Sequence, residues 1–352
     1  MVKTRMSLLL WISMSLLAWV HAGEVKNCHP SCHCEVESFG LFDSFSLTRV
    51  DCRGVGPSNI PIPIPLDTAH LDLSSNSIGL LSDTMLSGPG YTTLVSLDLS
   101  SNLISQVSSK ALSRLRYLQT LDLSHNSLDS LAQGCFSGLP LVDVDLSHNH
   151  FRDFDLDVFI TRGHGEPMTV DLSHNWLSSV SRGPHGGALH VQSMTLAENR
   201  LRSVPKLVGM PLRDLNLDGN SISCIEEGAF VELKDLVHLS LSGLSELSDI
   251  KPNSFSGLHN LQVLDLSSNI NLKTLSPAVF IGLVSLQELN LSNSGVTSLP
   301  NNMLSHLPSI RSITLGPSTH CWRTQKQGQF HRQLGQVQFD HVLTCNIKGI
   351  VS

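Results

Sequence analysis

Histidines and aspartates recur at fixed positions in the first half of the chain. Three histidines share one position in consecutive units of the sequence: His125, His148 and His174. Four aspartates share the position three residues before it: Asp98, Asp122, Asp145 and Asp171. If neighbouring units form neighbouring strands, equivalent side chains stack about 5 Å apart. Stacked imidazoles and carboxylates have the chemistry of a metal site or of acid–base catalysis.

The units that carry these residues are leucine-rich repeats. Residues 118–128 read L-x-x-L-x-L-x-x-N-x-L, the signature of such a repeat. The asparagine position recurs every 21 to 26 residues along the chain: Asn76, Asn102, Asn126, Asn149, Asn175, Asn199, Asn220 and Asn269, with Leu244, Ser294 and Ser318 in three further units. Eleven units in register predict a solenoid, in which each repeat depends on its neighbours for a core.

The pattern within each unit predicts a leucine-rich repeat solenoid of the α/β horseshoe type. Leucines two residues apart share one face of a strand and point into the core, so the intervening residue lies on a concave parallel sheet. The asparagine is expected to hydrogen-bond backbone groups where the strand ends. We expect irregular or 3₁₀ segments on the convex side and disulfide caps at both ends.

The histidine and aspartate files follow from the repetition itself, because Leu-Asp-Leu-Ser-His-Asn is a common form of this repeat. The chain also contains no glycine-rich phosphate loop and no nucleophile elbow. We therefore predict a protein without enzymatic activity, cofactor or metal. The aspartates make the N-terminal half of the concave face acidic. They are our candidate protein-binding residues: Asp98, Asp122, Asp145 and Asp171.

The organisation of the chain indicates secretion. Residues 1–22 have a basic start and an apolar run, as in a signal peptide, and no later stretch is long and apolar enough to span a membrane. Removing Lys3 and Arg5 changes the formal charge from −7 to −9. That charge argues against nucleic-acid binding and favours basic partners. We assign residues 23–60 to a cysteine-rich cap, 61–318 to the repeats and 319–352 to a C-terminal cap, in a protein of the extracellular space or matrix.

Six of the eight cysteines flank the repeats: Cys28, Cys32, Cys34, Cys52, Cys321 and Cys345. Disulfide-tied caps suit a secreted solenoid, and the first cluster lacks the CxxC pairs of a zinc site. The remaining two, Cys135 and Cys224, lie four repeats apart. At the spacing of parallel strands this is roughly 19 Å, too far for a disulfide. We therefore expect both thiols to be unpaired.

The spacing C-x3-C-x-C-x17-C, the repeats and the two-cysteine end together resemble the small leucine-rich repeat proteoglycans. The resemblance covers nearly all of the chain after residue 22. It implies three disulfides: Cys28–Cys34, Cys32–Cys52 and Cys321–Cys345. The chain departs from typical matrix members in lacking a Ser/Gly- and acid-rich N-terminal extension, which leaves glycosaminoglycan attachment undecided.

The run from His320 to Gln336 narrows the resemblance to one member of that family. The narrower match implies a secreted protein that binds bone morphogenetic proteins, chordin and Frizzled-type receptors and mainly inhibits developmental signalling of the BMP and Wnt types. The alternative, implied by other family members, is a structural matrix protein that binds collagen. The residues alone do not separate these two functions.

One N-glycosylation sequon is present, Asn290-Leu291-Ser292, inside the tenth repeat's strand. Since Leu289 and Leu291 must face the core, Asn290 must lie on the concave side. We expect Asn290 to be glycosylated and partners to be directed toward the acidic half.

Overall fold

The computed structural model describes residues 27–39, 45–55, 62–160, 165–183, 187–300, 302–316, 319–325 and 341–347. The predicted signal peptide, residues 1–22, and Ser318 lie outside the described residues. In chain order the strands are β1 (His33–Phe39), β2 (Phe45–Asp51), β3 (Thr68–Asp72), β4 (Leu80–Leu81), β5 (Ser96–Asp98), β6 (Gln106–Val107), β7 (Thr120–Asp122), β8 (Asp143–Asp145), β9 (Asp153–Asp155), β10 (Met168–Asp171), β11 (Ser179–Ser181), β12 (Val191–Thr195), β13 (Asp214–Asn216), β14 (Cys224–Ile225), β15 (His238–Ser240), β16 (Asp249–Ile250), β17 (Val263–Asp265), β18 (Glu288–Asn290), β19 (Ser312–Gly316), β20 (Thr319–Gln325) and β21 (His341–Ile347).

Fifteen of the described strands form one sheet, in the order β1-β2-β3-β5-β7-β8-β10-β12-β13-β15-β17-β18-β19-β20-β21. The eleven strands from β3 to β19 in this order belong to the eleven predicted repeats and are parallel, and β2 pairs parallel to the first of them. At the two ends, β1 pairs with β2 and β20 with β19 and β21 in antiparallel fashion. The predicted leucine-rich repeat solenoid is confirmed.

Burial alternates along each repeat strand as the sequence predicts. Leu121 and Leu123 are fully buried, whereas Thr120 and Asp122 on either side of Leu121 remain partly exposed. We call the face that carries these intervening residues the open face of the sheet. Because leucines from successive strands stack in register, each repeat completes the core of the next.

The segments opposite the sheet contain the expected 3₁₀ turns, at Pro89–Tyr91, Leu156–Phe159, Pro277–Phe280 and Met303–His306. Buried phenylalanines stack between repeats there, with ring centroids 5.6 Å apart for Phe136 and Phe159 and 5.7 Å apart for Phe230 and Phe255. Three small parallel pairs, β4–β6, β9–β11 and β14–β16, were not predicted. Two- or three-residue strands are too short to leave an alternation in the sequence.

The repeat asparagines form a buried ladder. In the second repeat, the Asn102 amide donates to the carbonyl of Leu99 in its own repeat, at 3.0 Å, and to that of Leu73 in the preceding repeat, at 2.9 Å. Its oxygen accepts the N–H of Ile78 at 3.1 Å. Equivalent bonds recur in the following repeats, for example at Asn126. The side chain therefore satisfies backbone groups that the short strand leaves unpaired, as predicted.

The disulfides at the N-terminal end are Cys28–Cys34 and Cys32–Cys52, the pairing that the family resemblance implies. At the other end Cys321 is disulfide-bonded, and its backbone lies opposite that of Cys345 in the β20–β21 pair.

Cys135 and Cys224 are free thiols, as expected. Burial raises the pKa of Cys135 to about 12. No helix among the described residues has the length and apolarity needed to cross a membrane.

Candidate binding surface

The four candidate aspartates lie side by side on the open face. Strand pairing places Asp98 opposite Asp122, Asp122 opposite Asp145, and Asp145 opposite Asp171. Each is partly exposed, since the neighbouring leucines take the buried positions. The structure therefore brings together all four of the aspartates that we predicted as protein-binding residues from the sequence.

The row of aspartates extends beyond these four residues. Asp72 lies opposite Asp98, and Asp51 of strand β2 lies opposite Asp72. Asp72 occupies the same place in the first repeat, so the register could have revealed it. Asp51 belongs to the cap, where no repeat signature marked it. Six consecutive strands thus present a carboxylate, and we call these residues the acidic file: Asp51, Asp72, Asp98, Asp122, Asp145 and Asp171.

Every member of the acidic file also closes a turn. One carboxylate oxygen accepts the backbone N–H two residues later, as in the 2.8 Å bond from Ser124 to Asp122 and the 2.8 Å bond from Ser147 to Asp145. Asn216 accepts the equivalent bond, from Asp218 at 2.8 Å. The turn needs a side-chain oxygen but no negative charge. The second carboxylate oxygen remains available, and that of Asp72 accepts from Arg53 at 2.6 Å.

Burial and neighbouring negative charges disfavour ionisation of Asp122, in the middle of the file. Burial raises the pKa of Asp122, although hydrogen bonds from Ser124 oppose this, and the charges of Asp145 and Asp98 raise it further. Asp143 lies beside the file on strand β8, and burial together with Asp145 raises its pKa as well. A basic ligand would relieve this repulsion, so the surface is complementary to positive charge.

The three histidines do stack, with ring centroids 4.0 Å apart for His125 and His148 and 4.3 Å apart for His148 and His174. Their backbone φ angles of 53°, 54° and 52° are left-handed, a conformation for which histidine is enriched among non-glycine residues. The equivalent position in a later repeat is Gly219, also left-handed. Burial and the neighbouring imidazoles lower the pKa of His148. No group of residues in the described part of the chain has a metal-binding arrangement.

The C-terminal half of the open face is chemically different. The acidic file gives way to Thr195, Asn216 and Ser240 at the equivalent positions, before an aspartate returns at Asp265. Asn290 lies on the open face, between the buried Leu289 and Leu291. Its amide nitrogen, the atom that a glycan would occupy, donates to Asp265 at 3.0 Å. Glycosylation there would leave that nitrogen a single N–H, so the bond to Asp265 could be kept only through the remaining hydrogen.

Comparison with known proteins agrees with this architecture. The leucine rich repeat family model matches residues 92–151, 190–244 and 243–296. Tsukushi of Danio rerio is 62% identical over 346 residues, covering 98% of this chain and all of the relative. Tsukushi of Gallus gallus is 56% identical, covering 94% of this chain and 89% of the relative.

The chain belongs to the Tsukushi family. Tsukushi of Homo sapiens, at 50% identity, covers 92% of this chain and 93% of the relative. The similarity thus extends beyond the matched repeats to nearly the whole chain. The narrower resemblance carried by residues 320–336 pointed to the same family. Membership of the Tsukushi family identifies the architecture and leaves the partners to be argued from the surface.

Proposed function

We propose that this Tsukushi-family chain is a secreted, non-enzymatic binding protein that modulates, mainly by inhibition, extracellular developmental signalling. The expected partners are bone morphogenetic protein-type growth factors, chordin and Frizzled-type receptors. The acidic file on the open face is the proposed binding surface. Basic proteins are its complementary class of ligand.

The observation that carries this proposal is that the turn hydrogen bonds of the acidic file do not need a negative charge. The turn hydrogen bond is made equally well by Asn216, yet six consecutive strands carry an aspartate instead. At Asp122 burial raises the pKa, so there the fold itself does not favour the negative charge. At Asp72 the effect of burial is outweighed by hydrogen bonds from Ser74 and Arg53, which lower the pKa. A functional use of the negative charge accounts for this arrangement. A glycan at Asn290 would also cover the other half of the open face and direct partners toward the acidic file.

The test removes charge without removing the turn bond. Asp→Asn at Asp122 and Asp145 keeps the accepting oxygen, but Asn-Leu-Ser is a glycosylation sequon. The variant therefore combines Asp122→Asn and Asp145→Asn with Ser124→Ala and Ser147→Ala, and the matched control carries the two serine changes alone. Binding of the purified secreted proteins to a bone morphogenetic protein is measured by surface plasmon resonance at several salt concentrations.

We expect the charge-neutral variant to bind about tenfold more weakly than the control, with a smaller salt dependence and unchanged secretion. Equal binding by variant and control at low salt would reject the acidic file as the binding surface. A parallel measurement of binding to fibrillar collagen tests the alternative function, that of a structural matrix protein. Binding to collagen alone, unaffected by the variant, would favour a structural matrix protein.

A further inference from the structure

A second surface lies where the repeat strands end, at the position directly after each repeat asparagine. Successive repeats place His150, Trp176 and Arg200 at this position. Their backbone N–H groups donate to the preceding repeat, from Trp176 to Phe151 at 2.9 Å and from Arg200 to Leu177 at 2.9 Å. The three side chains therefore form a column held by the main chain. Arg152, two residues after His150, also reaches Trp176.

Trp176 is a platform for two guanidinium groups. The central carbon of Arg200 lies 5.2 Å from a ring centroid of Trp176, and that of Arg152 lies 5.8 Å from one. The His150 ring stacks on the same indole at 4.6 Å. Contacts with an aromatic face hold an arginine in place while leaving its in-plane N–H groups free. The platform thus orders the arginines without using their hydrogen-bond donors.

These donors have no anionic partner of their own within the described residues. The ion pairs found there involve other cations, and neither Arg152 nor Arg200 makes a side-chain hydrogen bond. Both arginines are exposed. Asp153 follows Arg152 directly and, with Asp129, lines the same pocket as Arg152 and Trp176, but it accepts the hydroxyl of Ser179 at 2.6 Å. Glu198, two residues before Arg200, forms no ion pair with it in the described part of the chain. Ordered, solvated and unpaired guanidiniums are suited to planar oxyanions.

We propose that Arg152, Trp176 and Arg200 form a binding site for a sulfated glycan chain. The faces of Trp176 are already covered by His150 and arginine, so the site offers N–H donors rather than the apolar centre that protein hot spots require. Two guanidiniums two repeats apart can hold separate sulfates of one linear chain. Because salt limits the field of the acidic file to about 8 Å, the net negative charge does not prevent local anion binding.

The experiment measures binding of the purified chain to immobilised heparin oligosaccharides across a salt series. The variant is Arg152→Ala with Arg200→Ala, and the matched control is Arg114→Ala with Arg116→Ala, two exposed arginines that give the same change in charge. We expect the variant to bind roughly tenfold or more weakly, while the control binds like the wild type. The slope of log affinity against log salt should fall by about 1 to 2 in the variant, as released counterions predict for a polyanion.

Two further measurements test whether Trp176 and the planar guanidinium groups take part in binding. Addition of the oligosaccharide should change the tryptophan fluorescence of the wild type and not that of the Arg152→Ala, Arg200→Ala variant, which keeps the same tryptophans. Arg152→Lys with Arg200→Lys should restore only part of the affinity, since lysine lacks the planar donors. Equal loss in the variant and the control would overturn the proposal, as would no binding by the wild type at physiological salt. If polyglutamate bound equally well through the same arginines, the site would belong to acidic proteins instead.

Discussion

The mutation Asn149→Ala tests whether the buried asparagines fix the repeat turns. Asn149 is 2% exposed. Its amide nitrogen donates to the carbonyls of Leu123 at 2.9 Å, Ser147 at 3.1 Å and Leu146 at 3.2 Å. Its oxygen accepts the N–H of Leu128 at 3.0 Å. Alanine removes the partner of four backbone groups in two adjacent repeats.

The expected cost follows from these contacts. A typical hydrogen bond contributes about 1 kcal/mol net, and a buried backbone group left unpaired costs about 1–3 kcal/mol. The amide has two hydrogens for three carbonyls, so the Asn149 bonds are partly shared and the sum is limited. We predict a loss of about 2–4 kcal/mol in the free energy of unfolding. The shorter Ser294 replaces asparagine in the tenth repeat and donates only to Leu291, at 2.7 Å. Asn149→Ser should therefore recover part of the loss.

Guanidinium chloride unfolding, followed by circular dichroism, measures the effect on the disulfide-intact protein. The matched control is Asn271→Ala, because the amide of this exposed asparagine donates to a single carbonyl, that of Ser245 at 2.7 Å. The control should lose no more than about 1 kcal/mol. If Asn149→Ala were as mild as Asn271→Ala, leucine packing alone would set the turns and the ladder argument would be wrong. Hydrogen exchange of the Leu128 amide locates the effect if unfolding is not two-state.

Three further outcomes follow from the structure. Cys52→Ser removes a disulfide, so it should lower the free energy of unfolding by about 2–5 kcal/mol and reduce secretion. Cys224→Ser should leave the disulfides in a non-reducing peptide map unchanged. A map that joined Cys224 to Cys135 would contradict the repeat register. Neutralising Asp122, as Asp122→Asn with Ser124→Ala, should stabilise the protein at neutral pH relative to Ser124→Ala alone. Its raised pKa means that the folded state disfavours the charge, so the advantage should vanish as pH falls below the usual carboxyl pKa, and denaturation at pH 7 and pH 3 checks this. Glycosidase should increase the mobility of the wild type and not of Asn290→Gln; an unshifted wild type would show an empty sequon.

The register of the repeats could be predicted because each leucine has one acceptable environment. A one-residue slip would expose Leu121 and bury Asp122, so the spacing alone fixes which side chains share a face. The same register predicts that Asp98 and Asp122 are neighbours. It also places His150, Trp176 and Arg200 in one column, but the residue type there changes from repeat to repeat, so no recurring pattern in the sequence marks that column.

Other features depend on information that the repeat pattern does not contain. Asp51 joins the acidic file because strand β2 of the cap pairs parallel with β3, and a cap has no periodicity to announce that pairing. The three small sheets opposite the main sheet arise where short segments such as Leu80–Leu81 meet the next repeat. The left-handed backbone at His148 explains why histidine occurs at this repeat position better than a metal-binding or catalytic role of the imidazoles does. That backbone conformation cannot be read from the residue types alone.

Two physical explanations account for the aspartates of the acidic file, and variants of this chain separate the two. Aspartate supplies negative charge, but it also avoids the Asn-Leu-Ser sequon that asparagine would create before a serine. At the equivalent strand positions of later repeats, Asn216 is followed two residues later by Asp218, which makes no sequon, whereas Asn290 is followed two residues later by Ser292, which does. If aspartate served only to prevent glycosylation, Asp122→Asn with Ser124→Ala would bind partners as well as Ser124→Ala. If the charge is used, the two proteins differ most at low salt, where the field of the file is least screened.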